Sequence, residues 1–574
     1  MSLPVKQRLS RIVRQIATST VALSRSWPKA SALLIGIASA TGFAPLGLWP
    51  MTLVAVALLM LLLAGAPTPR RAFGLGWAFG IGHFALGLNW IATAFTYQAA
   101  MPAWLGWIAV VALSLYLAVF PGLATWGAWL VARTATQPRP PSPRHPREGG
   151  EPAPEIATAH AEQLDSRLRA DAEGRETQLA PLCLALAGLW IVTEWLRSWM
   201  FTGFAWNPLG AVAIEAGNLP VVFGSYGLSG WIVLTAGAGA LLVHRHWRAA
   251  TLFGMSALVV LTIVNLGFGT RNANAADERG LPITLVQPNI GQQDKWQGDK
   301  ADRNFAKLAR LTNPIDDRPR LILWPEAAVP DYLETGYPWI YYDRSPAAAR
   351  ARLMALMNPD DLMLLGALKL ETDQTGEVVG ARNAVMMVRP DGTLGPRYDK
   401  AHLVPFGEYL PMRPLLSAIG LSRLVPGDID FWPGPGPRTL DLGLFGTAGI
   451  QICYEIIFSG QVVDRANRPD FIFNPSNDAW FGSWGPPQHL AQARLRAIEE
   501  GLPVVRSTPT GISAVISANG DVVASVPMGV DGRIDMRLPP PHAPTPFARF
   551  GNMLPLLLAA AMLVLAIASA RRCR

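Results

Sequence analysis

The chain has 574 residues, half of them apolar and only 16% charged, against about 25% charged in an ordinary soluble protein. That balance excludes a string of water-soluble domains. The apolar content and 20 tryptophans exclude disorder, and three widely spaced cysteines (Cys183, Cys453, Cys573) exclude a disulfide scaffold. The net charge is 49 − 41, or +8, which fits nucleic acid, an anionic membrane surface or the positive-inside bias of a membrane protein.

Taken in chain order, the apolar residues form eight runs near 30–45, 50–66, 72–97, 103–132, 180–199, 220–243, 249–268 and 552–570. Each is read as a crossing of ~30 Å of hydrocarbon at about 1.5 Å per residue. The first is short. The third holds Gly74, Gly76, Gly80, Gly82 and Gly87, small residues of the kind that let membrane helices approach closely. No A-x-A-like site separates the first two runs, so no cleaved signal peptide is expected.

With the N-terminus placed in the cytoplasm, the short inner segments collect 13 basic residues, from Lys6 to Arg574, and no Asp or Glu. The outer loops near 46–49, 98–102 and 200–219 hold no Lys or Arg. This positive-inside pattern predicts a multi-pass membrane protein with both termini cytoplasmic and residues 270–548 outside, a compartment that in a bacterial cell would be the periplasm. The chain divides into 1–132 (helices one to four), 133–179, 180–269 (helices five to seven), 270–548, and 549–574 (the last helix and a basic tail). The 133–179 segment is rich in Pro, Arg and Glu and nearly free of large apolar residues, and is read as a disordered cytoplasmic insertion. In the external domain acidic residues outnumber basic ones, so no nucleic-acid partner is expected.

That domain alternates strand-like runs (282–288, 320–326, 361–369, 383–389, 447–453, 470–476) with helical windows near 299–312, 345–357 and 487–501. Two further runs, 511–518 and 521–527, flank Asn519-Gly520, a hairpin turn signal. The pattern predicts an α/β layered domain whose site lies at strand ends. Glu326 ends "RLILWPE", Lys400 sits in "RYDKAHLVPFGEYLP" with Glu408 following, and Cys453 ends "TAGIQIC" before Tyr454 and Glu455. A cysteine at such a turn, near a cation and a carboxylate, can be held as a reactive thiolate. Singly, each has a plainer reading: a buried small hydrophobe, a capping carboxylate, a surface lysine. His402 and His489 offer a rival Cys–His dyad. No His/Cys cluster has metal-ligand spacing, so neither metal nor cofactor is expected.

Together, and in this order, "WPEAAVP", "YDKAHLVPFGEYLP", "ICYEIIF" and "NPSNDAWFG" resemble the nitrilase (carbon–nitrogen hydrolase) superfamily. The surrounding helices, with "TGFAPLGLWP", "TEWLRSWMFTGFAWNPLG" and "LVQPNIGQQDKW", make the chain resemble the membrane-embedded apolipoprotein N-acyltransferase family. The resemblance implies an αββα sandwich outside a bundle of about eight transmembrane helices. It implies Glu326 as general base, Lys400 as electrostatic stabiliser and Cys453 as nucleophile, with Glu408, Tyr454 and Glu455 in support. Trp296, Asn383, Asn477 and Trp480 match substrate-lining positions. The implied partners are a phospholipid acyl donor, a diacylglyceryl-modified apolipoprotein acceptor and the bilayer itself, with the chain acting as a monomer.

Two other readings remain open. One is a membrane-tethered amidase or nitrilase with water as acceptor. The other is a transporter or receptor, against which stands the lack of charged residues in the first four runs. Residues 414–425 could form an apolar tip dipping into the membrane interface or a packed helix, and Glu194 with Arg197 could pair with each other or with a headgroup.

Overall fold

The computed structural model describes residues 26–97, 102–133, 178–268, 280–295, 297–418 and 429–572. Residues 134–177 of the expected insertion, Trp296 and the 419–425 part of the apolar tip lie outside these. Residues 414–418 belong to the short helix Arg413–Ala418.

The apolar runs are helical, because a backbone with no water to bond must satisfy its N–H and C=O groups within the segment. Before the external domain come α1 (Pro28–Ala40), α2 (Trp49–Ala64), α3 (Pro69–Gly87), α4 (Leu105–Leu117), α5 (Val119–Arg133), α6 (Leu179–Arg197), α7 (Leu219–Val243) and α8 (Trp247–Phe268). Five stretches, α4 with α5 counted as one and Met553–Arg572 included, are long and apolar enough to cross a membrane. A sixth arises if α3 and Ile91–Tyr97, bent by 50°, form one span. Among the described residues, length and composition thus give fewer crossings than the expected about eight. The helices α1 and α2 have only 13 and 16 residues, short of the ~20 that a perpendicular crossing needs. The third run bends after Gly87, where Leu88 leaves helical geometry at φ −115° and ψ 18°.

The glycines of α3 serve close packing. A Cβ on Gly82 would lie 2.1 Å from Leu33 O of α1, and one on Gly36 of α1 would lie 2.0 Å from Phe79 O of α3. On its other side α3 meets the α4–α5 junction, where a Cβ on Gly80 would fall 2.7 Å from Ala118 Cα.

The external domain contains twelve strands among the described residues: β1 (Pro282–Gln287), β2 (Leu321–Leu323), β3 (Leu362–Thr372), β4 (Val378–Val388), β5 (Tyr398–Asp399), β6 (Thr439–Asp441), β7 (Thr447–Ile450), β8 (Phe471–Pro475), β9 (Val504–Ser507), β10 (Ser513–Ile516), β11 (Val522–Val526) and β12 (Gly532–Arg537). They form two six-stranded sheets, ordered β12-β1-β2-β3-β4-β5 and β11-β10-β9-β8-β7-β6. The central trios β1-β2-β3 and β7-β8-β9 are parallel, with antiparallel strands outside them. Every expected strand run contains an observed strand. The runs did not reveal β5, β6, β9 and β12, which are short or polar.

Alternation builds the layers. Leu321 and Leu323 pack between the sheets with Leu285, Ile450, Phe473 and Val505. Ile322 and Trp324 face outward with Phe305 and Leu308 of α9 (Ala301–Thr312) and Leu353 of α10 (Pro346–Met354). On the far face Ile472, Val504 and Ile516 meet Ala493 and Ala497 of α11 (Gly485–Glu500). The result is an αββα sandwich followed by α12 (Met553–Arg572).

The helix α11 also joins the sandwich to the membrane helices, since its Leu495 belongs to their apolar core. Within α7, Gly224 adopts φ 61° and breaks the helical ladder, which frees the Ser225 N–H. Glu499 of α11 accepts that N–H at 2.6 Å, with the hydroxyls of Ser225 and Ser459 both at 2.8 Å. Arg496 Nε pairs with the other Glu499 oxygen at 2.8 Å. Removing one member of such a buried ionic set typically costs about 3–5 kcal/mol. Glu499→Ala is therefore expected to lower the unfolding midpoint of the detergent-solubilised protein markedly; an unchanged midpoint would mean that this joint does not hold the two parts together.

Candidate active site

Three strand ends converge. Glu326 lies in the loop after β2, Lys400 follows β5 directly, and Cys453 opens a short 3₁₀ turn, Cys453–Ile457, after β7. All three are buried, Lys400 at 1% and Cys453 at 5% exposure. Pairing of β4 with β5 sets Lys400 beside Asn383, whose carbonyl accepts the Lys400 N–H at 2.8 Å.

The Lys400 ammonium donates to Glu408 Oε1 at 2.9 Å and stands 3.7 Å from Glu326 Oε1. The Asn383 amide donates to both carboxylates, at 2.7 Å to Glu326 and 3.1 Å to Glu408. The second Glu408 oxygen accepts the Val404 N–H at 2.8 Å. Burial opposes the Lys400 charge, but Glu408 and Glu326 outweigh it and hold the ammonium above the usual lysine range. Burial, reinforced by the Glu326 charge and opposed by Lys400, pushes the Cys453 thiol well above the ordinary cysteine value. The resting thiol is thus neutral at neutral pH, and its attack needs a base. The second Glu326 oxygen, buried and without a hydrogen-bond partner, has the capacity to accept a proton.

Cys453 has φ 52°, a left-handed backbone that a non-glycine residue holds only at a cost. A buried polar network secures it. His489 Nε2 bonds the Cys453 carbonyl at 3.1 Å, while Nδ1 lies 3.0 Å from both Asp478 and Arg506. Arg506 binds both Asp478 oxygens at 2.6 Å and Asn474 Oδ1 at 2.6 Å. Asn474 in turn donates to Gln451 O at 2.6 Å. Burial, then the Arg506 charge, lower His489 to about 4, so it is a neutral imidazole. Glu455 accepts from Tyr398 OH, Ala401 N and His402 N on one oxygen and from Ile452 N on the other, at 2.7–3.0 Å. It therefore ties the loop of Lys400 to the loop of Cys453.

The rival Cys–His dyad is not formed. His489 binds the Cys453 carbonyl, and His402 Nε2 lies 2.7 Å from Thr202 O. Asn383, expected to line a substrate site, bridges Glu326 and Glu408. The Asn477 amide donates to Gln292 at 2.9 Å. Half-buried Trp480 meets Tyr97 edge to face at 5.7 Å, and Tyr454 OH donates to Gly203 O at 3.1 Å. Glu194 and Arg197 bind elsewhere: Glu194 accepts from Trp190 and Leu209 N, and Arg197 donates to Trp206 O. Sequence reasoning missed Lys295, Asp478 and Arg506, and singled out His489 only as a rival dyad partner. Asp478 lay within a motif already singled out, and Lys295 within another, but nothing in their spacing set them apart from structural or surface residues. Among the described residues no group of three or more His, Cys, Asp or Glu could hold a metal ion.

A buried cysteine, lysine and carboxylates at the strand ends of an αββα sandwich, joined to apolar helices, define a membrane-bound enzyme of the carbon–nitrogen hydrolase fold. The carbon-nitrogen hydrolase model matches residues 283–536, and the model for the apolipoprotein N-acyltransferase N-terminal domain matches residues 35–238. Apolipoprotein N-acyltransferases of Rhodopseudomonas palustris (32% identity, 97% of each chain), Caulobacter vibrioides (34%, 95% of each) and Vibrio parahaemolyticus (30%, 91% of this chain and 93% of that one) are similar over nearly the full length. The chain belongs to the apolipoprotein N-acyltransferase family. Among solved structures, Saccharomyces cerevisiae Nit3 of the nitrilase superfamily matches 45% of this chain and 90% of its own at 20% identity, with a TM-score of 0.32.

His489→Phe keeps an aromatic ring but deletes the donor to the Cys453 carbonyl. An unsatisfied buried group costs about 1–3 kcal/mol, so a lower unfolding midpoint and slower alkylation of Cys453 by iodoacetamide are expected. Wild-type values for both would remove His489 from the support of the nucleophile.

Proposed function

We propose that the chain moves an acyl chain from a phospholipid to the α-amine of a diacylglyceryl-cysteine apolipoprotein, through a thioester on Cys453. The observation that carries this reading is the meeting of Glu326, Lys400, Glu408 and Cys453 in one buried polar site beside apolar helices. Glu326 takes the thiol proton, and the thiolate attacks the ester carbonyl. Lys400 and the Tyr454 backbone N–H stabilise the oxyanion, each such donor typically being worth about 2.7–4 kcal/mol. Glu326 returns the proton to the departing lysophospholipid alkoxide, leaving the thioester. The amine then attacks, the amide forms and the thiol is restored, in a ping-pong sequence.

Burial of Cys453 supports this reading over hydrolysis, because a thioester that waits for an amine must be kept from water. Glu408 and Asn383 orient Lys400 and Glu326, and Glu455 fixes the two loops. Asn477 lies against Cys453, and Trp480 and Trp296 complete the substrate side by family resemblance. The membrane placement follows from the substrates. Each CH₂ removed from lipid would cost about 0.8 kcal/mol, so the acyl chains stay in the bilayer while only the ester or amine enters the site. We assign eight passes, both termini to the cytoplasm, the 133–179 insertion to the same side, and residues 270–548 to the periplasm, on the strength of the basic inner segments. The catalytic unit is one chain.

Incubated with phospholipid, the purified protein should show an acyl adduct on Cys453 by mass spectrometry. A diacylglyceryl-cysteine peptide should discharge it as the N-acyl peptide. Absence of the adduct in wild type, or its persistence in Cys453→Ala, would sink the mechanism. A reporter active only in the cytoplasm and fused near residue 300 is expected to be silent; activity there would reverse the orientation.

A further inference from the structure

A second ammonium reaches the catalytic glutamate. Lys295 ends the short helix Gln292–Lys295 after β1, and its Nζ donates to the main-chain carbonyl of Glu326 at 2.8 Å. Its charge also acts on the Glu326 carboxylate and on Cys453. Against the same backbone packs Gly366 of β3. A Cβ there would lie 2.3 Å from Ala327 N and 2.6 Å from Glu326 Cα, and the Gly366 carbonyl accepts the Ala328 N–H at 2.8 Å. Between these two contacts Ala327 adopts φ 45°, a left-handed conformation that needs outside support. The turn carrying the base is therefore clamped by Gly366 and by Lys295.

Charge accounting points the same way. Glu326 and Glu408 place two negative charges in the site, and Lys400 alone supplies one positive charge. Lys295 supplies the second. Transfer of the Cys453 proton to Glu326 moves a negative charge without changing the total, so the two lysines balance the site before and after ionisation. With one lysine gone, the thiolate would form in a buried site carrying excess negative charge, which disfavours it.

We propose that Lys295 is a positioning residue for acyl transfer, holding the Glu326 turn and supplying the second positive charge that stabilises the Cys453 thiolate. This rests on the roles assigned above to Glu326 and Cys453. Burial lowers the Lys295 ammonium to about 8, with the Glu326 and Cys453 charges opposing. It is mostly charged at pH 7, and its contribution fades as pH rises past that value. Neighbouring Asp294 is paired with Lys300 at 2.5 Å, while Glu326, Lys400 and Asp478 are charges that act on Cys453.

The test uses the full-length protein in detergent, with iodoacetamide labelling of Cys453 located by peptide mass over roughly pH 6 to 10. Lys295→Met is expected to slow labelling at pH 7 by about tenfold, the effect of a one-unit upward shift in the thiol. It should lower kcat for acylation with KM little changed, and Lys295→Arg should restore much of both. Lys295→Gln keeps a donor for the Glu326 carbonyl without the charge, and slow labelling in this variant sustains the electrostatic role. A labelling profile in folded Lys295→Met or Lys295→Gln that superposes on wild type overturns the proposal. If wild type forms no acyl adduct, the acyltransferase reading fails by itself, and the labelling profiles still decide the role of Lys295.

Discussion

The structure depends on keeping two carboxylates and an ammonium charged in a place without water. Each ion, taken singly, would cost several kcal/mol to desolvate. Glu326, Glu408 and Lys400 persist together because each supplies what the others lose, and the Asn383 amide spans the two carboxylates. The neutral thiol of Cys453 fits this set, since two carboxylates against one ammonium already leave excess negative charge, to which a resting thiolate would add. On the proposed mechanism, activation is a proton shift inside a fixed field, the arrangement in which electrostatic preorganisation is most effective.

That requirement explains why the site sits where two sheets meet. Glu326 and Lys400 come from the first sheet and Cys453 from the second, so only the closed sandwich brings them together. Much of the surrounding polar structure holds backbones that would otherwise relax. His489, Arg506 and Asp478 brace the Cys453 turn, and Glu455 locks it to the Lys400 loop. The strain is stored in the backbone at Cys453 and Ala327, next to the reacting groups, where a small displacement would be costly to rate.

The joint between sandwich and bundle follows the same logic on a larger scale. A glycine breaks α7, and the amide thereby released is taken up by Glu499 of α11. Since α11 also packs on the second sheet, the membrane helices and the strand bearing Cys453 are coupled through one rigid element.

The apolar runs and the strand-like stretches were legible in the sequence because burial and membrane insertion act on local composition. Glu326, Lys400 and Cys453 were legible as strand-end residues, and the order of their motifs pointed to a family. Lys295 was not, because a lysine in a polar stretch carries no local mark of the partner it meets, and His489 was legible only as a dyad candidate, not as a brace for the Cys453 carbonyl. The sequence likewise could not distinguish Asn383 as a substrate ligand from Asn383 as a bridge between carboxylates, or foresee the bend after Gly87. What the chain determined by itself was which segments are apolar and which residues end strands. What only the tertiary structure decided was who faces whom, because contacts between residues far apart in the chain exist only once two sheets and a bundle have closed around them.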